Sequence, residues 1–445
     1  MIVVAIKLSD HFTYGRLVRF ALPSIAMMIF TSIYSVVDGL FVANIVGSDA
    51  LASINIVMPL FLVLGAFGFM LGTGGSAEVA KTMGEGRDED AKSYFTNLTL
   101  AVAVLGVALT LGTVFFIRPI SYLLGASDRL IDYCVVYGII CLIGNIPYML
   151  QAFFQAFFIT AEKPRLGMLL TIASGLTNMV LDWLFIAVLG WGIAGAAAAT
   201  SIGCAVGGFL PLIYFARKNS SRLQFVRPKL HWRMLGHSAV NGSSEMVSNA
   251  SRALTTFLFN IQLMRLVGED GVSAITVMQY VNFVFIAVMI GFSVGVAPVV
   301  GFHYGAKNTD ELKGLFRRCM TFIVASCVGV FVLSEAVAYP LINIFTDHAS
   351  LFEMTLYGFR IFALSFLVVG VNIFASAFFT ALCNGLVSAG ISFERTIVFE
   401  AGAVLLLPIA FDLNGVWMAL PVAEGLALLV SVGCLIFFRK RYQYA

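Results

Sequence analysis

Two carboxylates, an amide and a hydroxyl stand where this chain could handle a small cation. Asp38, Asp182, Asn178 and Thr200 all lie within long apolar runs. An ionisable side chain at bilayer depth costs at least about 2.5–3.5 kcal/mol on insertion scales, so each needs a task or a partner. Counted from the outer ends of their runs, Asp38 lies about five residues in, Asp182 about six and Thr200 about seven, which places all three roughly 8–10 Å deep. Asn178 precedes Asp182 by one helical turn and shares its face. Oxygen ligands of this kind suit a hard cation such as Na⁺. A carboxylate pair kept from water suits the uptake and release of one H⁺. The same four groups could instead simply tie helices together by hydrogen bonds.

Other polar groups in apolar runs are fewer. Glu245 and Arg252 are seven residues apart and share a helix face, and Glu400 falls in the middle of its run. Either glutamate could attract a cationic ligand in a cavity or serve as a structural partner. Glu335 and Glu424 read as closer to the outer interface, where snorkelling or a local hydrogen bond satisfies them. The candidate cavity walls are aromatic and methionine side chains: Met27, Met28 and Tyr34 in the first run, the cluster Phe153, Phe154, Phe157 and Phe158 in the fourth, and Phe283 in the eighth. Such deformable apolar walls fit broad specificity. Pro23 removes a backbone hydrogen bond inside the first run and can kink it.

The elements that must position these groups are membrane-spanning helices. Of 445 residues, 60% are hydrophobic and only 11% charged, with a mean hydropathy of +0.95; a soluble domain carries about 25% charge. A span needs about 20 mainly apolar residues. Twelve such runs fall at roughly 17–43, 51–78, 94–117, 132–160, 166–189, 193–215, 236–264, 271–300, 316–340, 354–381, 391–411 and 415–438. They lack the ten-residue alternation of a β-barrel. With both termini inside, nearly all lysines and arginines fall on the inner side, Arg395 among them. The outer loops hold only Arg118, Arg129 and Arg265, and Arg252 and Arg360 lie within helices. This asymmetry follows the positive-inside rule.

The runs fall into two sets of six. At a fixed offset of 221 residues, Gly74 meets Gly295, Gly84 meets Gly305, Lys92 meets Lys313 and Phe95 meets Phe316. The chain therefore reads as an N-lobe (1–216), a basic cytoplasmic linker (217–231) and a C-lobe (232–445), two parallel six-helix repeats with a cavity between them. The polar constellation is not duplicated: Phe259 falls opposite Asp38, and near the end an offset of about 223 sets Leu405 opposite Asp182 and Ala423 opposite Thr200. The seven cysteines are scattered, with no CxxC or Cys/His grouping, so neither a disulfide framework nor a zinc site is expected. No Lys/Arg run with interleaved aromatics suggests nucleic acid. An intramembrane aspartyl enzyme would need a catalytic context around its acids, and no such motif occurs.

The residues resemble a known family. The run Val37-Asp-Gly-Leu-Phe-Val-Ala-Asn-Ile-Val-Gly47, the segment Gly72-Thr-Gly-Gly-Ser-Ala-Glu-Val-Ala-Lys81 followed by Gly84-Glu-Gly86, Asn178-Met-Val-Leu-Asp182, Gly192 to Thr200, and Gly415 to Glu424 together look like the multidrug and toxic compound extrusion exporters. That resemblance implies a twelve-helix, two-lobe, all-α exporter in a prokaryotic inner membrane. It would act as a monomer and expel cationic or amphipathic drugs in exchange for H⁺ or Na⁺. No cofactor beyond that ion is implied, and membrane lipid is the surrounding partner. Asp38, Asp182, Asn178 and Thr200 match the family's N-lobe cation site, and Pro23 its bending point. The tenth run carries no acid, so a C-lobe ion site of the kind some relatives use is not expected. The alternative is a lipid or lipid-linked oligosaccharide flippase of the same superfamily, which would show fourteen spans or a cluster of cavity arginines.

Overall fold

The computed structural model describes residues 6–46, 48–343 and 349–445, and among them every regular element is helical; Gly47, the last residue of the first family-like run, lies outside this set. In chain order the elements are α1 (Tyr14–Ile45), α2 (Ser48–Gly84), α3 (Asp88–Val114), α4 (Ile117–Leu123), α5 (Ile131–Thr160), α6 (Pro164–Asp182), α7 (Gly192–Ala216), α8 (Trp232–Asn241), α9 (Ser243–Val267), α10 (Glu269–Gly305), α11 (Thr309–Asn343), α12 (Ala349–Ala363), α13 (Phe366–Ala381), α14 (Gly385–Phe393) and α15 (Ala401–Tyr442). Two π-helical segments, Trp183–Val188 and Glu394–Glu400, continue α6 and join α14 to α15.

These helices make up twelve spans. Among the described residues nine helical stretches are long and apolar enough to cross a membrane, and α12 with α13, bent by 51°, makes a tenth. The stretch Gly385–Tyr442 holds two, because 58 residues of helix would run about 87 Å, far beyond a core about 30 Å thick. It folds back at Asp412, whose φ of 47° breaks the helix. The remaining span is α9, too polar to be counted among them because it carries Glu245, Asn249 and Arg252. The chain is a multi-pass membrane protein.

The repeat is visible in the backbone. α2 and α10, each 37 residues long, begin and end 221 residues apart. The turns agree as well: Gly86 and Lys307 share a left-handed φ (78° and 54°), as do Glu162 and Cys383 (61° and 56°). The two halves meet through matched close approaches. A Cβ on Gly84 would overlap the Phe302 carbonyl oxygen, and one on Gly305 would overlap that of Lys81, the same contact seen from either half. Glycine alone lets the backbones come this near. About 15 Å further along α2 the Asn241 amide donates to the carbonyls of Gly74 (3.2 Å) and Thr380 (3.0 Å), which ties α8 to both halves.

Both terminal segments and the linker gather at one end of the bundle. Leu8 N–H donates to Glu162 at 2.9 Å, Phe12 N–H to Glu311 at 2.9 Å, and His11 Nδ1 lies 2.5 Å from the other Glu311 oxygen. Leu8 and Phe12 are fully buried. This strap therefore spans from the α5–α6 turn of one half to the head of α11 in the other. The linker lies on α3, with Phe225 stacked on Phe95 at 5.1 Å and Arg222 paired with Asp88 at 2.8 Å.

Candidate functional site

α1, α6 and α7 pack side by side, and small residues let them close. A Cβ on Gly203 of α7 would meet the Asn178 side chain at 2.9 Å, and Ser174 donates to the Gly203 carbonyl at 2.7 Å. That packing brings all four groups expected from the sequence together. The Asn178 amide donates to the Thr200 hydroxyl at 3.4 Å. The Asp38 carboxyl faces Asp182 and Asn178 closely enough to couple with both. Yet both Asp182 oxygens and the Asn178 carbonyl oxygen are buried without completing a hydrogen bond among the described residues. Asp182 is 2% exposed and Asn178 1%. An orphaned buried oxygen costs roughly 1–3 kcal/mol or more, so three in one pocket point to a ligand that supplies positive charge or a proton. The donor set is all oxygen, which fits Na⁺ or H⁺ and not a soft metal.

Two neighbours complete this pocket. Tyr34 lies one turn before Asp38 on α1 and stacks on Phe30 at 6.3 Å. Tyr280, on α10 of the other half, brings its hydroxyl to 3.3 Å from where a Gly39 Cβ would stand, beside Asp38. Sequence reasoning missed Tyr280; the small residue directly after Asp38 was the only signal. Pro23 is buried within α1, which stays one continuous helix from Tyr14 to Ile45.

The C-half differs from the sequence expectation. Glu424 is 1% exposed and not interfacial, and Arg395 is inside the membrane and not cytoplasmic. Arg395 sits ten residues into its span, on the π-helical segment, and its guanidinium meets Glu424 at 2.7 and 2.8 Å. Asn372 donates to the second Glu424 oxygen at 2.7 Å. Arg252 and Glu245 do share a face of α9, and Arg252 lies over the Phe283 ring at 5.6 Å. Glu245 and Glu400 both lie within electrostatic reach of Arg252 and Arg395. The C-half thus holds three acids and two guanidiniums, a constellation of its own. It stands at other positions than the N-half set: Phe259, Leu405 and Ala423, aligned with Asp38, Asp182 and Thr200, are apolar. Glu335 does find a local partner, Arg360 at 3.8 Å.

The aromatic cavity assignment is corrected. Phe153, Phe154 and Phe157 are 0–1% exposed and pack with Phe95 and Phe215 into an aromatic core inside the N-half. Rings at helical spacing fill the i, i+3 and i+4 face that binds α5 to α3 and α7. Met27 is likewise buried, at 3%. Tyr34, Glu245, Phe283 and Glu400 remain partly accessible.

Two bundles related by a repeat, with polar pockets at membrane depth, have the architecture of a transporter. A family model described as MatE matches residues 23–184 and 246–402, and the chain belongs to that family. The multidrug export protein MepA of Staphylococcus saprophyticus is 23% identical over 96% of this chain and 94% of its own. A protein named FAD transporter from Shewanella oneidensis is 22% identical over 94% and 93%. A multidrug resistance MATE transporter of the MOP superfamily, solved outward-facing, superposes with a TM-score of 0.91 at 20% identity, covering 99% of this chain and 98% of that one.

Proposed function

We propose that this chain is a secondary active exporter in a bacterial plasma membrane. It expels cationic or amphipathic organic molecules while H⁺ or Na⁺ enters and loads at Asp38, Asp182, Asn178 and Thr200. The observation that carries this reading is the set of orphaned buried oxygens on Asp182 and Asn178. The names of relatives such as MepA support the substrate class.

In this reading the ion occupies the N-half pocket, and α1 transmits the event. α1 carries Asp38 and also contacts the other half, where the Ser32 hydroxyl lies 3.3 Å from the Phe283 carbonyl. Bending at Pro23 couples loading to release of cargo held near Phe283, Glu245 and Glu400. The lysine and arginine distribution supports cytoplasmic termini. The flippase alternative calls for fourteen spans or a cluster of cavity arginines; the described helices make twelve spans, and Glu424 neutralises Arg395.

Purified protein in liposomes tests the proposal. Ethidium movement is followed under an imposed H⁺ gradient and then a Na⁺ gradient, and one of the two should drive it. Asp182→Asn and Asp38→Asn should reduce gradient-driven movement to that of protein-free liposomes. Transport indifferent to both gradients would sink the reading. Unimpaired transport by both variants would sink the site.

A further inference from the structure

We propose that a groove between α11 and the C-terminal segment binds one anionic phospholipid from the leaflet on the side of the termini. A cavity of about 1020 Å³ opens there toward the membrane. Its mouth carries Lys313 and Arg317, one turn apart on the exposed face of α11. Neither side chain makes an ion pair or hydrogen bond among the described residues. Arg318, one step round the helix, is by contrast held by Glu311 at 3.4 Å.

Beyond the cations the groove becomes apolar. Val324 and Val328 line it and stay 47% and 50% exposed. From Arg317 to Val328 is about 16 Å along the helix, the depth of one leaflet of a core about 30 Å thick. The opposite wall is fixed in place. Tyr444 is buried, its hydroxyl donates to the Leu435 carbonyl at 2.6 Å, and its ring packs on Phe316 at 4.8 Å. Of the nine long apolar spans among the described residues, α11 is the least buried, with 22% of its most apolar window covered against 61% for α10. Lipid is therefore its neighbour.

Two cations without an ion-pair partner above a leaflet-deep apolar slot match one molecule with a phosphate at the interface and an acyl chain below. A zwitterionic lipid would bring its own amine up to Lys313 and Arg317. Free phosphate would use only the mouth.

Native mass spectrometry of the full chain, released from detergent with phosphatidylglycerol or phosphatidylcholine, tests this. The unaltered protein should retain phosphatidylglycerol preferentially. Lys313→Ala with Arg317→Ala should weaken that retention by about thirtyfold. Val324→Trp fills the slot with the charges intact and should also release the lipid. Excess inorganic phosphate should leave it bound. Equal retention of the two lipids by the unaltered protein overturns the proposal, and that measurement depends on no variant folding. Displacement by phosphate, or full retention in Val324→Trp, overturns it as well and leaves a headgroup anion site only.

Discussion

Asp182 is buried, ionisable and faces another carboxyl, with no geometrically complete hydrogen bond on either oxygen, whereas Glu424 is equally buried and fully partnered. The same residue class therefore plays two roles. Glu424→Gln would strand the Arg395 guanidinium, a loss of about 3–5 kcal/mol expected for one half of a buried pair. Unfolding in detergent should show it, and Arg395→Met combined with Glu424→Leu should recover most of the loss. If the single variant is as stable as the unaltered protein, the pair is not structural. Removing the Asn178 amide has a different signature. Asn178→Ala should lower the affinity for the coupling ion while fold stability stays within about 1 kcal/mol, since the residue contributes one long hydrogen bond. At this scale the N-half site was readable, because an acid in an apolar run is conspicuous and helical rise sets its depth. The Arg395–Glu424 pair was not, because hydropathy placed each residue near the wrong interface. The phenylalanines of α5 were misassigned because ring density reads alike for a core and a cavity.

At the scale of elements, the strap over residues 6–13 is held by two fully buried side chains and three contacts to glutamates. Phe12→Ala removes a buried ring, worth about 3–5 kcal/mol. Hydrogen exchange of residues 6–13 should rise steeply while the middle of α1 stays protected; unchanged exchange would mean the backbone contacts alone secure the strap. The spans and the repeat could be read from composition and from glycine matches. The left-handed turns at Glu162 and Cys383 could not, since the two residues share no chemistry and only their φ values reveal the match. The π-helical segments were equally hidden, because hydropathy averages over the register that a π turn changes.

For the whole molecule, the matched approaches at Gly84 and Gly305 close the end that carries the termini. Gly84→Leu and Gly305→Leu should each prop the halves apart there, seen as increased labelling of a cysteine placed between the two helices, with export lost. Because both substitutions disturb one contact, the double variant should be little worse than either single one, a departure from additivity. Additive effects would mean that the two glycines guard separate contacts. The π segments have a further consequence for how the molecule moves. One lies directly after Asp182 and the other holds Arg395, in the fifth span of each half. A π turn stores one surplus residue. Passing that surplus along the helix swings everything it crosses by about 100° without unwinding the span. A shift of that surplus in either lobe would re-aim a buried carboxylate or guanidinium while the surrounding bundle stayed packed.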